Sequence, residues 1–199
     1  HEPVLKLLES SHSKAQKYAC DYARTHARDL PVKKLVQMAG NNHADVVRKL
    51  AQDLLQERDP RKDVGLENWS TLLASQYADE WALKSIRKHF GPKDLTPDWF
   101  RDQLLKSSIS FGTEIGKFLT ETHALKDLGP AWFAELILDY QESTAGYHSG
   151  LVDLATEQMA KLGPSNLEAG LLQRLLAQGR HGVSHAVRSW IDDGQLDAK

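Results

Sequence analysis

The chain has 199 residues and a formal net charge of -2, with 41% hydrophobic and 26% charged residues. This is the profile of a globular chain able to bury a substantial core, and its charge balance gives no basis for a nucleic-acid or anionic-lipid partner. The single cysteine, Cys20, excludes an intrachain disulfide and fits a reducing, cytoplasmic setting.

Taken in chain order, the periodicity is helical almost throughout. Apolar residues recur at three- and four-residue steps in Val46, Val47, Leu50, Leu54 and Leu55. The same spacing returns in Phe100, Leu104, Phe111, Ile115 and Leu119, and again in Trp132, Leu136 and Tyr140. Each set places its side chains on one helical face. No segment alternates as a strand does. The pattern predicts helices near 3–28, 32–39, 42–57, 67–89, 97–122, 131–161 and 166–192, with Gly146 and Gly150 bending the sixth and Gly179 and Gly182 breaking the seventh. Breaks are marked by Asp59-Pro60, Gly91-Pro92 and Gly163-Pro164. Helix starts are marked by Thr96 before Pro97, by Gly129 before Pro130, and by the capping-box spacing of Ser165 and Glu168. No apolar run approaches the roughly 18 residues of a membrane span, and the first residues carry no signal-peptide pattern. A single all-α domain over 1–199 is expected, as the sensor part of a longer chain.

One phrase recurs. Lys93-Asp-Leu-Thr-Pro-Asp-Trp-Phe100 resembles Lys126-Asp-Leu-Gly-Pro-Ala-Trp-Phe133, with looser matches at Asp29-Leu30 and Asp63-Val64. Because the residues after each phrase diverge, the reading is shared turn chemistry at two helix starts rather than a repeat array. The small-residue pairs Gly112/Gly116 and Gly146/Gly150 permit either a close helix crossing or room for a flat cofactor.

His123 ends one apolar segment just before Gly129-Pro130 and the bulky Trp132 and Phe133. A histidine in a last helical turn, with free carbonyls to fix its tautomer, has the chemistry of an axial haem ligand. The spacing from His123 through Leu128, Pro130, Trp132 and Phe133 resembles the proximal-histidine segment of the globin-coupled sensors and protoglobins. Leu172-Gln-Arg-Leu-Leu176 resembles a phrase in that family's last globin helix. The resemblance implies a globin-like fold of about seven helices with haem b. It implies His123 as the iron ligand, Trp132 and Phe133 as pocket walls, and a distal residue about two helices upstream, where Trp69 lies closer to the expected distance than Tyr77. It further implies sensing of oxygen or another diatomic gas, with signal passing to a homodimer partner or an output domain. In this sequence Thr122 precedes the histidine and Lys126-Asp127 follow it, where the family usually carries Ile-Gly.

Other constellations point elsewhere. Arg180-His-Gly-Val-Ser-His185 resembles the R-x4-H signature of HEPN-type ribonucleases, in which His185 would move the proton and Arg180 hold the phosphate. His181 and His185 have a spacing that suits zinc, completed by His43 or a carboxylate. The segment from Gly182 to Ile191 has some character of a DNA-recognition helix, but Asp192, Asp193 and Asp197 oppose phosphate, so an amphipathic helix anchored by Val187, Trp190 and Ile191 is preferred. A cofactor-free helical interaction module, needing only these amphipathic helices, is the alternative to the gas sensor. A plain antiparallel bundle is the alternative fold.

Overall fold

The computed structural model describes residues 1–41, 44–107, 109–142, 149–178, 181–194 and 196. All regular elements among them are helical: α1 Glu2–Leu8, α2 Ser13–His26, α3 Val32–Gly40, α4 Asp45–Gln56, α5 Gly65–Leu73, α6 Asp79–His89, α7 Pro97–Lys106, α8 Ile109–Thr122, α9 Leu125–Glu142, α10 Ser149–Leu162, α11 Ala169–Gln178 and α12 His181–Asp192. A π-helical turn, Pro60–Val64, precedes α5, and a 3₁₀ turn, Pro164–Asn166, precedes α11. The all-α expectation holds. The count does not, because five of the seven expected helices are each two helices. The single domain expected over 1–199 divides into two compact units, His1–Asp94 and Leu95–Lys199.

The first unit is built of helix pairs. α1 packs on α2, α3 on α4 and α5 on α6, while α2 also packs on α4 and α3 on α5. The helices of each pair are consecutive in the chain and closely spaced in sequence, the arrangement of antiparallel neighbours. Each pair alone leaves an apolar face open, and stacking the next pair closes it. Leu8, Cys20, Leu35, Leu50, Leu55 and Leu72 are the fully buried residues that fill these layers. The Cys20 thiol is buried against the Val46 carbonyl, and burial pushes it above its ordinary value, so it is not a reactive thiolate.

The second unit follows the same rule. α7 packs on α8, α9 on α10 and α11 on α12, with α7 on α9, α9 on α11, α8 on α10 and α10 on α12. This corrects the reading of the recurring phrase. It marks repeated helix pairs, stacked within each unit.

The recurring phrase is the joint that makes the stack. An Asp or Asn precedes an apolar residue in five places, at Leu30, Val64, Leu95, Leu128 and Leu167, buried in all but Leu128, and a second apolar residue stands five positions on, at Leu35, Trp69, Phe100, Phe133 and Leu172. In four of the five this is the N′ to N4 spacing of a hydrophobic staple, which fixes the angle at which the chain enters the helix. Leu30, Leu35, Leu95, Phe100 and Phe133 are almost wholly buried. Gly129, at φ 73°, makes the turn inside α9 that a side chain would strain, so the packed part of that helix begins at Pro130.

Polar side chains lock these joints. In the first unit Arg61 forks onto Asp94, Nη2 donating at 2.8 Å and Nη1 at 3.1 Å, and Nη1 also donates to the His89 carbonyl at 2.6 Å. The guanidinium lies over the Phe90 ring. Hydrogen bonds from Arg61 and from the Gly91 N–H hold the Asp94 carboxyl below its ordinary value. A carboxyl depressed in the folded state contributes stability above its unfolded value, and that contribution fades as pH falls through the folded value. Asp94→Asn is therefore expected to flatten the acid limb of a plot of unfolding midpoint against pH below about pH 4, read by circular dichroism, with little change in shape near neutrality.

Candidate functional site

His123 follows α8 directly, where the backbone leaves the helix and its own N–H still bonds to the Leu119 carbonyl. Its ring is half-buried. Nε2 meets the Leu95 carbonyl at 2.6 Å, and the ring stands edge-on to Phe100 with centroids 5.7 Å apart. A carbonyl only accepts, so Nε2 carries the proton and donates it. This is the nitrogen that a proximal histidine normally turns to iron.

An equivalent contact occurs in the first unit. Arg58, just past α4, donates to the Leu30 carbonyl at 3.5 Å and to the Arg28 carbonyl at 2.6 Å. Leu30 and Leu95 are the same position of the recurring joint, and both contacts span 28 residues. Arg58 and His123 thus do the same job: a cationic or N–H donor at the end of one pair's second helix ties down the carbonyl that opens its first. Removing the donor leaves the carbonyl of a buried residue unsatisfied. His123→Ala is expected to cost about 1–2 kcal/mol in urea unfolding of protein prepared without any added cofactor.

The other residues expected around a haem lie as follows. Phe133 is fully buried on α9, in the core of the second unit. Trp132 is half-buried beside it, its Nε1 buried without a hydrogen-bond partner among the described residues. Trp69 belongs to the first unit, buried in α5, where Nε1 donates to the Pro60 carbonyl at 3.1 Å. Tyr77, also in the first unit, has the Arg48 guanidinium 4.7 Å from its ring centroid. The small-residue space at Gly116 is filled: a Cβ there would stand 2.9 Å from Leu154 Cδ2 on α10. A close helix crossing uses that room.

A porphyrin does not fit these residues as arranged. The ligating nitrogen is spent on Leu95, and the crossing at Gly116 is closed by Leu154.

No family model matches the chain, and neither a curated protein nor a solved structure resembles it significantly.

The remaining motifs fare unevenly. Arg180 and His43 lie outside the described residues, as do Gly146, Gly179, Asp197 and Lys199. His185 is exposed on α12. Among the described residues no group of three His, Cys, Asp or Glu side chains is placed to hold a metal ion, and no helix is long and apolar enough to cross a membrane. Val187 and Trp190 anchor α12 as expected, but Ile191 does not, being 41% exposed.

Ile191 belongs instead to a feature that periodicity alone does not reveal. It lines a groove of about 560 Å³ between α11 and α12 with Leu167, Leu172, Leu176, Val187 and Leu196. Its described lining comes from α11, α12 and the segments that flank them, with no residue from α9 or α10. In the first unit, the pair α1/α2 has a matching groove of about 440 Å³, lined by Val4, Leu7, Tyr18 and Tyr22. Leu7, Tyr18, Tyr22 and Ile191 are the large hydrophobic side chains most exposed among the described residues, and all four lie on these two faces. Apolar side chains gathered in this way mark surfaces that another surface covers.

Proposed function

We propose that the chain is a cofactor-free helical-repeat module that binds protein partners through the open faces of its stacked pairs. The observation that carries this reading is the apolar groove between α11 and α12, whereas the two earlier pairs of the second unit are each packed by the pair that follows. A stack of this kind does no chemistry of its own. It offers rigid helices, spaced by the joint described above, against which an amphipathic helix can lay an apolar ridge. The reading takes no metal and no haem.

The test has two arms. Ile191 replaced by a photo-cross-linking benzoylphenylalanine should form a discrete protein adduct in cells, and Leu172→Glu in the same chain should abolish it while leaving far-UV circular dichroism unchanged. Hemin added to the purified chain should give no Soret band that depends on His123. Absence of any adduct, or a strong Soret band lost in His123→Ala, overturns the proposal and returns the gas-sensor reading.

A further inference from the structure

Building on the interaction reading, we infer that the partner is a second copy of this chain, joined head to tail: the α1/α2 face of one copy seats on the α11/α12 face of the next. Three observations carry it.

The first is continuity with the stacking already present. Within the units, second helices pack on second helices, α2 on α4 and α10 on α12, and first helices on first helices, α3 on α5 and α9 on α11. The α11/α12 face repeats the surface that α9/α10 offers to α11/α12. The open α1/α2 face is on the side that corresponds to the surface α3/α4 offers to α1/α2. A copy docked in this register places α2 along α12 and α1 along α11, with no new type of contact.

The second is chemistry. α2 carries Lys14, Tyr18, Tyr22 and His26 at four-residue steps, one stripe of aromatic rings between basic ends. Tyr18 is 65% and Tyr22 42% exposed. The α11/α12 groove is aliphatic, and a tyrosine ring seats well in such a groove with its hydroxyl at the rim.

The third is charge. His26 lies in the last turn of α2 and lines the α1/α2 groove, while Arg24 of the same turn is paired with Asp21. Asp192 and Asp193, both exposed, close α12. Helices that run the same way bring these ends together, basic against acidic, whereas an antiparallel approach separates them.

The two faces differ, so the contact is heterologous and joins copies into an open chain or a ring. Terminal repeats of a soluble array normally present a polar outer surface. Neither of these faces is polar.

The experiment uses sedimentation velocity on the full chain and two surface variants, Tyr18→Glu and Ile191→Glu, each checked by circular dichroism. The wild-type chain should show a weight-average mass that rises with concentration beyond twice the monomer. Each variant alone should remain monomeric. The two variants mixed in equal amounts should form a dimer that does not grow, since one keeps an intact α11/α12 face and the other an intact α1/α2 face. Only a head-to-tail contact gives that rescue. A wild-type chain that stays monomeric at every soluble concentration, a variant that still assembles, or a mixture that fails to pair overturns the inference. A monomeric wild type that nonetheless cross-links through position 191 to a different protein removes self-assembly and leaves the interaction reading standing.

Discussion

Phe100→Ala is expected to destabilise the second unit by about 3–5 kcal/mol, the cost of deleting a fully buried aromatic ring and leaving part of its volume empty. No surface of Phe100 reaches solvent. Its ring stands edge-on to three others, with centroids at 4.9 Å from Trp99, 5.3 Å from Phe118 and 5.7 Å from His123. It is the second half of the joint opened by Leu95, so its loss frees both the entry to α7 and the contact that holds the end of α8. Stability in a stack is a sum of pair and neighbour terms. The loss should therefore appear first in hydrogen exchange of α7 and α8, with α11 and α12 protected longer. Chemical unfolding gives the total. A cost below about 1 kcal/mol would show that the ring faces removable space instead of core, which is what a cofactor slot would require.

The helical nature of the chain was legible, and so were the joints between pairs. Asp59-Pro60, Gly91-Pro92, Gly129-Pro130 and Gly163-Pro164 carry the two residues that punctuate backbone most strongly, and each falls between pairs. Three reversals inside pairs were not legible. They fall at Glu9–His12, at Ala74–Ala78 and around Ser107, with no glycine or proline. Serine and alanine tolerate a helix and do not stop one, so the apolar period reads straight through. The helices end there because their buried faces find partners only if the chain doubles back. The reversals that were read have glycine to mark them: Gly40 with Asn41 after α3, and Gly179 after α11.

The same limit explains the site. The spacing from His123 to Phe133 is real, and it is the joint between pairs. Whether Nε2 meets an iron or the Leu95 carbonyl is decided 28 residues earlier in the chain, which no local motif encodes. Four echoes of the joint were visible, at Asp29, Asp63, Asp94 and Asp127. Divergence after each echo argued against an array. Yet only the buried positions of a stacked pair must persist, while its polar face is free to vary, so divergence there carries little weight. The signal that survives is an Asp or Asn, an apolar residue, and a second apolar residue five positions on.

Trp69 separates packing from polar anchoring in the first unit. Trp69→Ala is expected to cost about 3–5 kcal/mol and Trp69→Phe about 1–2 kcal/mol. The indole is 2% exposed, stands edge-on to Trp81 at 4.9 Å, and donates through Nε1 to the Pro60 carbonyl in the π-helical turn. Phenylalanine keeps most of the ring volume and loses the donor, so its deficit reports the hydrogen bond that ties that turn to α5, together with a small void. Alanine loses both, and the difference between the variants reports the packed ring. Guanidinium unfolding followed by far-UV circular dichroism measures each without relying on tryptophan emission. Equal costs would mean that the turn, not the ring, is what Trp69 secures. A Trp69→Ala variant as stable as the wild type would mean that the indole borders open space, the one arrangement in which this residue serves a ligand and not the fold.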